Sequence, residues 1–267
     1  MIETVLITNF KLLESVRLFL GKFNCLVGMN GAGKSTILQA FDLLAQLMHG
    51  NVDQWLKARG WESKDLHCRT GHSHVPLRNI LLQVGLRLGD GRQLTWTAIL
   101  NRHTLRMTSE RVRLQDEQIF STSSSSFNLL GQKHEITHDY TGSLLASLKD
   151  SLLSPELKTL RDTIRNIRSL ELLSPHLLRK RSRAQDKDIG AGGEKLSGFL
   201  ATLKGEQKAQ LLAVLCQFYP HLRDFRVARV RGGWWRLMVT EAVQSATEPT
   251  QEVWLETEAS QLNDGLL

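Results

Sequence analysis

The sequence predicts a mixed α/β fold, and three stretches of the chain support that prediction. Near the N-terminus, a short apolar run leads into a glycine-rich loop, and apolar residues at helical spacing follow the loop. Three further runs then read as strands, and Gly89-Asp90-Gly91 separates the first two, as in an antiparallel hairpin. From Gly142 to about Leu178 the pattern is helical, with breaks at Ser-Pro pairs. We therefore expect a strand–loop–helix core, an antiparallel meander and a helical lobe.

The composition is that of an ordinary folded domain. The 267 residues include 34 Lys+Arg and 27 Asp+Glu, a net charge of +7, and 41% are hydrophobic, which excludes an intrinsically disordered chain. No run approaches the ~18 apolar residues that a membrane span requires, and the first residues do not show the pattern expected of a signal peptide. The three cysteines are far apart and do not indicate a disulfide framework. We expect a cytoplasmic protein without a membrane span.

The strongest motif is the run Gly28-Met29-Asn30-Gly31-Ala32-Gly33-Lys34-Ser35, which fits G-x-x-x-x-G-K-[ST] at every fixed position. Glycines let the backbone curl until several N–H groups point at one centre, and the helix that follows adds its positive end. Lys34 is expected to reach the β- and γ-phosphates, Ser35 to ligate Mg²⁺, and Thr36 to serve the α-phosphate. The predicted ligands are ATP and Mg²⁺, held by Gly28, Asn30, Gly31, Ala32, Gly33, Lys34, Ser35 and Thr36.

The other predicted elements divide the chain into three parts. Strands are predicted at Ile2–Thr8, Val16–Leu20 and Phe23–Val27, and the serine-rich run Ser121–Ser126 is predicted to be an exposed loop. A break near Gly205 interrupts a later helical stretch. Residues 1–141 are then the P-loop core with an antiparallel β subdomain, residues 142–218 the helical lobe, and residues 219–267 the return strands.

Nucleotide binding does not by itself imply hydrolysis. Hydrolysis usually requires an acid pair at the end of an apolar strand, where one carboxylate holds Mg²⁺ and another orients water. No run of four apolar residues followed by Asp-Glu occurs; Leu237–Glu241 and Val253–Glu256 come nearest, and each lacks the paired acid. These acids are interpreted as outward-facing residues at strand ends, and the catalytic residues stay unassigned.

Two segments resemble the RecF/SMC-like AAA ATPases, which are ABC-type ATPases that act on DNA. Asn9-Phe10-Lys11 stands where that family has Asn-Phe-Lys or Asn-Phe-Arg before its G-x-N-G-x-G-K-S loop. Near the C-terminus, the run 259–267 (ASQLNDGLL) is similar to the family's signature segment, commonly Ser-Gln-Leu-Ser-Asp-Gly. The resemblance implies the fold of an ABC-type ATPase head and a trans nucleotide contact made by Leu262, Asn263, Asp264 and Gly265.

The resemblance also implies a mechanism. Two heads, as a homodimer or with a partner head, sandwich two nucleotides between the P-loop of one head and the signature of the other. Hydrolysis of ATP then lets the two heads separate. The family acts in DNA repair, DNA maintenance and phage defence. This chain departs from it at Asn263, where serine is usual, and in lacking the acid-bearing strand that follows the signature. We therefore expect an N-terminal portion of such an ATPase, with the C-terminal part of the core missing.

Other functions stay open at this stage. A truncated, non-catalytic nucleotide-binding module that regulates a partner would explain the missing acid pair. A nucleotide-binding subunit of a membrane transporter has the same loop and signature, but with the signature nearer the loop. Two arginine clusters, near Arg179–Arg183 and Arg223–Arg231, are candidate contacts for DNA phosphates, with solvated surface as the alternative. Trp234-Trp235 is interpreted as hairpin packing rather than as a stacking platform.

Overall fold

The computed structural model describes residues 1–68, 79–170, 175–183, 188–244 and 252–262. The chain forms two compact units, Met1–Ser169 and Leu170–Leu267, here called the first and second units. The strands are β1 Ile2–Phe10, β2 Leu13–Phe19, β3 Asn79–Arg87, β4 Gln93–Asn101, β5 Arg106–Leu114, β6 Glu117–Thr122, β7 Ser126–Leu129, β8 Gln132–Glu135, β9 Leu222–Val230, β10 Trp234–Gln244 and β11 Glu252–Glu258. The helices are α1 Lys34–His49, α2 Val52–Ala58, α3 Leu144–Ser147, α4 Pro155–Arg165, α5 Pro175–Leu178, α6 Leu196–Leu200 and α7 Glu206–Phe218. The predicted mixed α/β class is confirmed. No described helix is long and apolar enough to cross a bilayer.

The first unit is built on one large antiparallel sheet with the order β2-β1-β3-β4-β5-β6-β7-β8. Its central strands alternate between buried and half-buried residues, as a period of two requires when one face is packed. The register places buried residues opposite one another, so that Val84 pairs with Trp96 and Leu82 pairs with Ala98. The predicted meander is thus confirmed and extends further than expected along the chain.

Helices α1, α3 and α4 share one apolar cluster with the inward residues of this sheet. In α1, Leu43, Leu44 and Leu47 are fully buried. Helix α4 begins as predicted, because Ser154 accepts a hydrogen bond from the backbone N–H of Leu157 and a proline occupies the first position. The start of α1, where the glycine loop ends, is therefore attached to the main core of the unit.

A buried carboxylate connects the sheet to α3. Glu110 in β5 accepts hydrogen bonds from Trp96 Nε1 at 2.8 Å, from the hydroxyl of Ser143, and from the backbone N–H of Leu144 at 3.0 Å. Burial raises the pKa of this carboxyl group, and the three donors act in the opposite direction. Since Ser143 also caps α3, Glu110 links the start of that helix to Trp96 in β4.

One local prediction was wrong and a second was only partly right. Phe23–Val27 is not a strand: Phe23 is 87% exposed and Val27 is 90% exposed, and no described strand lies beside them to complete a ladder. The serine-rich run is only partly the predicted loop: residues 123–125 form an exposed turn, but the residues on either side of the turn belong to β6 and β7. The buried residues Phe120 and Phe127 flank that turn and hold its two strands in the sheet.

The second unit is smaller and has a three-stranded antiparallel sheet in the order β11-β10-β9. Gly232 and Gly233, with φ of +84° and +79°, make the predicted turn between β9 and β10. Helices α6 and α7, separated at Gly205 as predicted, cover one face of the sheet, where Phe225, Leu237 and Val239 are buried. This unit has its own apolar cluster.

Candidate nucleotide-binding site

The glycine-rich run forms a turn directly before α1. Gly31 and Gly33 have φ of +83° and +88°, a conformation that strains residues with a side chain. The backbone N–H of Ala32 donates to the carbonyl oxygen of Met29 at 3.2 Å, which closes the turn on itself. The glycines predicted from the motif are therefore required by the backbone of the loop and not only by its consensus.

The first turn of α1 presents its backbone N–H groups at the end of this loop. Gly33 is the N-cap; no side chain in the described ranges caps this end, and the first turn holds no acidic residue. The carbonyl oxygen of Gly33 already accepts the N–H of Ile37 at 3.0 Å, as the helix begins. An uncapped helix start without acidic neighbours favours an anion, because the N–H groups and the helix dipole both attract negative charge.

Lys34 points back over the loop. Its Nζ donates to the carbonyl oxygen of Gly28 at 2.7 Å and to that of Met29 at 2.8 Å. The ammonium group thus lies in the hollow of the loop, where the motif predicts the β- and γ-phosphates. A phosphate oxygen is a stronger partner than a neutral carbonyl, so the ammonium has a better contact to gain when a nucleotide arrives.

The remaining motif residues differ in exposure. Ser35 is exposed and Thr36 is buried, and the other predicted ligands are placed as follows: Gly28, Asn30, Gly31 and Ala32 are exposed, Gly33 is buried and Lys34 is half-buried. The Ser35 hydroxyl is thus free to approach a cation beside the phosphates. Among the described residues no three His, Cys, Asp or Glu side chains gather as a metal site.

A cavity of about 380 Å³ opens beside this helix start, and sequence reasoning did not find it. It is lined by Lys11, Leu12, Thr36, Gln39, Trp61 and Asp65. Lys11 was noted only as part of the family resemblance, and Gln39, Trp61 and Asp65 carried no motif. They meet because the β1–β2 turn and the segment after α2 pack beside α1, which no spacing in the sequence reveals.

The β1–β2 turn holds Lys11 in an unusual backbone conformation. Asn9 and Lys11 have φ of +66° and +53°, and Asn9 is fully buried. Asn9 Nδ2 donates to the carbonyl oxygen of Asn79 at 2.6 Å, and the N–H of Lys11 donates to that of Leu66 at 3.2 Å. Left-handed non-glycine residues cluster at functional sites, and here their surroundings hold them in place.

The signature segment lies in the second unit and is only partly described. Leu262 is buried in the apolar cluster of that unit, and its carbonyl oxygen accepts a hydrogen bond from Arg179 Nη2 at 2.6 Å. Asn263, Asp264 and Gly265 lie outside the described residues. The trans nucleotide contact predicted for this segment therefore stays a prediction.

The two acids nearest to an acid pair have partners within the second unit. Tyr219 donates its hydroxyl to Glu241 Oε1 at 2.6 Å, and Arg226 donates through Nη2 to Glu256 Oε2 at 2.7 Å. Hydrogen bonding by Arg226 lowers the pKa of Glu256 below its ordinary value. Both acids thus have structural partners at the sheet. They lie within β10 and β11 rather than at strand ends, so the interpretation from sequence was wrong about their position.

The two arginine clusters are engaged in the same way. Arg223 pairs with Glu252 at 3.2 Å and Arg181 with Glu258 at 2.8 Å. The guanidinium of Arg183 lies 4.9 Å from the ring centre of Trp234. The carboxylates on the same sheet partly neutralise this surface, which weakens the case for a DNA contact there. DNA as a partner stays a prediction.

Comparison with known proteins places part of the chain in a family. A family model described as the AAA ATPase domain matches residues 1–152, more than half of the chain. No curated protein sequence matches this chain. Among solved structures, an SMC head bound to the C-winged helix domain of ScpA is similar over 94% of this chain and 69% of that chain, at 16% identity and a TM-score of 0.45. A structure from work on ATP-driven dimerisation and DNA-stimulated activation of SMC ATPases covers 61% of this chain and 98% of its own, at 18% identity and a TM-score of 0.30.

Proposed function

We propose, because the chain belongs to the AAA ATPase domain family, that its glycine loop binds ATP together with Mg²⁺. The observation that supports this most directly is the position of Lys34, whose ammonium lies over the loop and contacts the carbonyl oxygens of Gly28 and Met29. The uncapped start of α1 supplies backbone donors for the same phosphates. Ser35 is the residue that would hold Mg²⁺, which neutralises phosphate charge when it is bound.

We further propose that the protein is an ATPase head of the RecF/SMC-like type. The support is the sequence: Asn9-Phe10-Lys11 before the loop, and the signature-like run 259–267. In such a head ATP joins two copies, or this chain and a partner head, by bridging the loop of one and the signature of the other. Action on DNA, in repair, maintenance or phage defence, and a place in the cytoplasm belong to the same proposal.

ATP titration by calorimetry tests the binding step. Lys34→Ala removes the ammonium and is expected to weaken MgATP binding by ~10- to 150-fold, since a hydrogen bond to a charged group contributes about 1.5–3 kcal/mol. Lys204→Ala, an exposed lysine in the second unit, is the matched control and should bind as the wild type does. Unchanged affinity of Lys34→Ala would refute the assignment of the site.

A second candidate is a nucleotide-binding module that regulates a partner without turnover. It is favoured by the two acids nearest to an acid pair, Glu241 and Glu256, since both are held by neighbouring side chains in the second unit. Measured ATP hydrolysis decides between the candidates. Turnover by the wild type that Lys34→Ala abolishes supports the ATPase head, and Lys34-dependent binding without turnover supports the regulatory module.

A further inference from the structure

The cavity beside α1 continues directly from the glycine loop. Thr36 belongs to both, because it follows Ser35 in the motif and its buried side chain forms part of the cavity wall. At about 380 Å³ the cavity lies within the ~300–1,000 Å³ range of small-molecule sites. A nucleotide whose phosphates occupy the loop extends its sugar and base beyond the α-phosphate, and this cavity adjoins the residue predicted to serve that phosphate.

We propose, on the basis of the nucleotide binding proposed above, that this cavity receives the nucleoside and that the base stacks on the indole ring of Trp61. An aromatic face is the surface that a base prefers, since every base has a π-face and stacking requires no particular pattern of hydrogen bonds. Trp61 is the aromatic side chain that lines the cavity. The glycine loop recognises the triphosphate, and Trp61 makes the site selective for a nucleotide over a bare polyphosphate.

The ring is already held in position. Trp55 meets it edge-on, with ring centres 5.4 Å apart and planes at 89°, and the guanidinium of Arg59 lies 5.0 Å from its centre. Arg59 is itself fixed by Asp42, which accepts its Nη2 at 2.7 Å. Because Trp55 in α2 and Arg59 at the end of that helix fix the indole before any ligand binds, little side-chain entropy is lost when a base stacks on it.

A cation occupies the ring face at the cavity. Lys11 Nζ lies 3.0 Å from the ring centre of Trp61 and donates to Gln39 Oε1 at 3.1 Å. An ammonium on this face shows that the face is reached from the cavity and is not covered by packed apolar groups. The base is expected to take the place of the ammonium, since a flat ring covers far more of the indole than a single charge does.

A carboxylate at the cavity wall suits the sugar. Asp65 belongs to the short 3₁₀ turn Ser63–Leu66, and its Oδ2 accepts the backbone N–H of Glu62 at 2.8 Å. This bond fixes the carboxylate while its oxygens retain further acceptor capacity. Ribose hydroxyls are donors that such an acceptor can bind, so a nucleoside suits the wall better than a second phosphate would.

The test compares two ligands that share the phosphate chain, MgATP and magnesium tripolyphosphate, by calorimetry. Trp61→Leu retains apolar bulk and removes the π-face; it is expected to weaken MgATP binding ~5- to 30-fold and to leave tripolyphosphate binding unchanged. That range corresponds to about 1–2 kcal/mol, the stacking energy of a base less the cation contact that is given up. Trp61→Phe should restore most of the affinity. Trp254→Ala, an indole 68% exposed in the second unit, is the control and should change neither ligand.

Intrinsic fluorescence supplies a second reading that does not depend on Trp61→Leu folding well. MgATP should quench tryptophan emission of the wild type, tripolyphosphate should not, and Trp61→Phe should lose the quench while it still binds MgATP. The inference is overturned if Trp61→Leu binds MgATP as the wild type does, if it weakens both ligands equally, or if the quench survives in Trp61→Phe. Failure of the proposed function is a different result, because the wild type would then bind neither ligand in a Lys34-dependent manner.

Discussion

Glu110 offers the sharpest test of how the first unit is held together. Replacing it by alanine removes the acceptor of three buried donors: the indole N–H of Trp96, the hydroxyl of Ser143 and the backbone N–H of Leu144. Each buried donor without a partner costs ~1–3 kcal/mol, and removal of a carboxylate that was itself costly to bury offsets part of the sum. We expect a net loss of about 3–5 kcal/mol in the free energy of unfolding.

Urea or thermal unfolding followed by circular dichroism measures this loss. For a unit of this size ~1 kcal/mol shifts the midpoint by about 2–4 °C, so Glu110→Ala should melt about 6–20 °C below the wild type. Glu117→Ala, an exposed glutamate on the neighbouring strand β6, is the matched control and should change stability by less than ~0.5 kcal/mol. A Glu110→Ala variant within ~1 kcal/mol of the wild type would refute the view that this network secures α3 to the sheet.

Three further predictions concern the same unit. Burial raises the pKa of Glu110, so the folded unit retains a proton that the unfolded chain has released. The stability of the wild type relative to Glu110→Gln should therefore fall as the pH rises above the ordinary glutamate range. Urea titrations at several pH values measure this, and a difference in unfolding free energy between the two proteins that stays constant with pH would contradict it. Gly142→Ala should destabilise the protein by about 2 kcal/mol or more, because φ is +73° and the new Cβ would lie 2.5 Å from the carbonyl oxygen of Leu47. Gly131→Ala, at φ +82° in open space, is the control and should lose less stability in the same thermal melt. Equal losses would show that the clash with Leu47 adds nothing to the cost of the positive φ. Ser154→Ala removes the cap of α4 and should lower the unfolding free energy by about 1 kcal/mol in urea, whereas no loss would show that the cap contributes nothing.

Local chemistry made several elements predictable from sequence. Apolar runs on either side of Gly89-Asp90-Gly91 predicted β3 and β4. The structure buries every second residue of both strands because one face of the sheet is packed. Ser154-Pro155 marked the start of α4, and Gly205 the separation of α6 from α7, since cap and break residues act within one helical turn. The glycine loop was predicted from the positions of its glycines, and two of them do have positive φ.

Features that depend on distant neighbours were not predictable in this way. Phe23–Val27 has the composition of a strand, but a strand also needs a neighbour to pair with, and composition does not report one. Glu110 looks like a surface acid in an alternating run until Ser143 and Trp96 are brought to it by the fold. The cavity at Trp61 likewise arises from the meeting of a hairpin turn, a helix start and a later turn.

Amide resonances of the glycine loop test the central claim most directly. In a ¹⁵N-labelled sample titrated with MgATP, the N–H signals of Gly31, Gly33 and Lys34 should shift most, because these groups are expected to donate to the phosphates. The same titration of Lys34→Ala should leave them nearly unmoved. If the largest shifts instead fall in the second unit, or if the loop signals of the wild type do not move at saturating MgATP, then this loop does not bind the nucleotide.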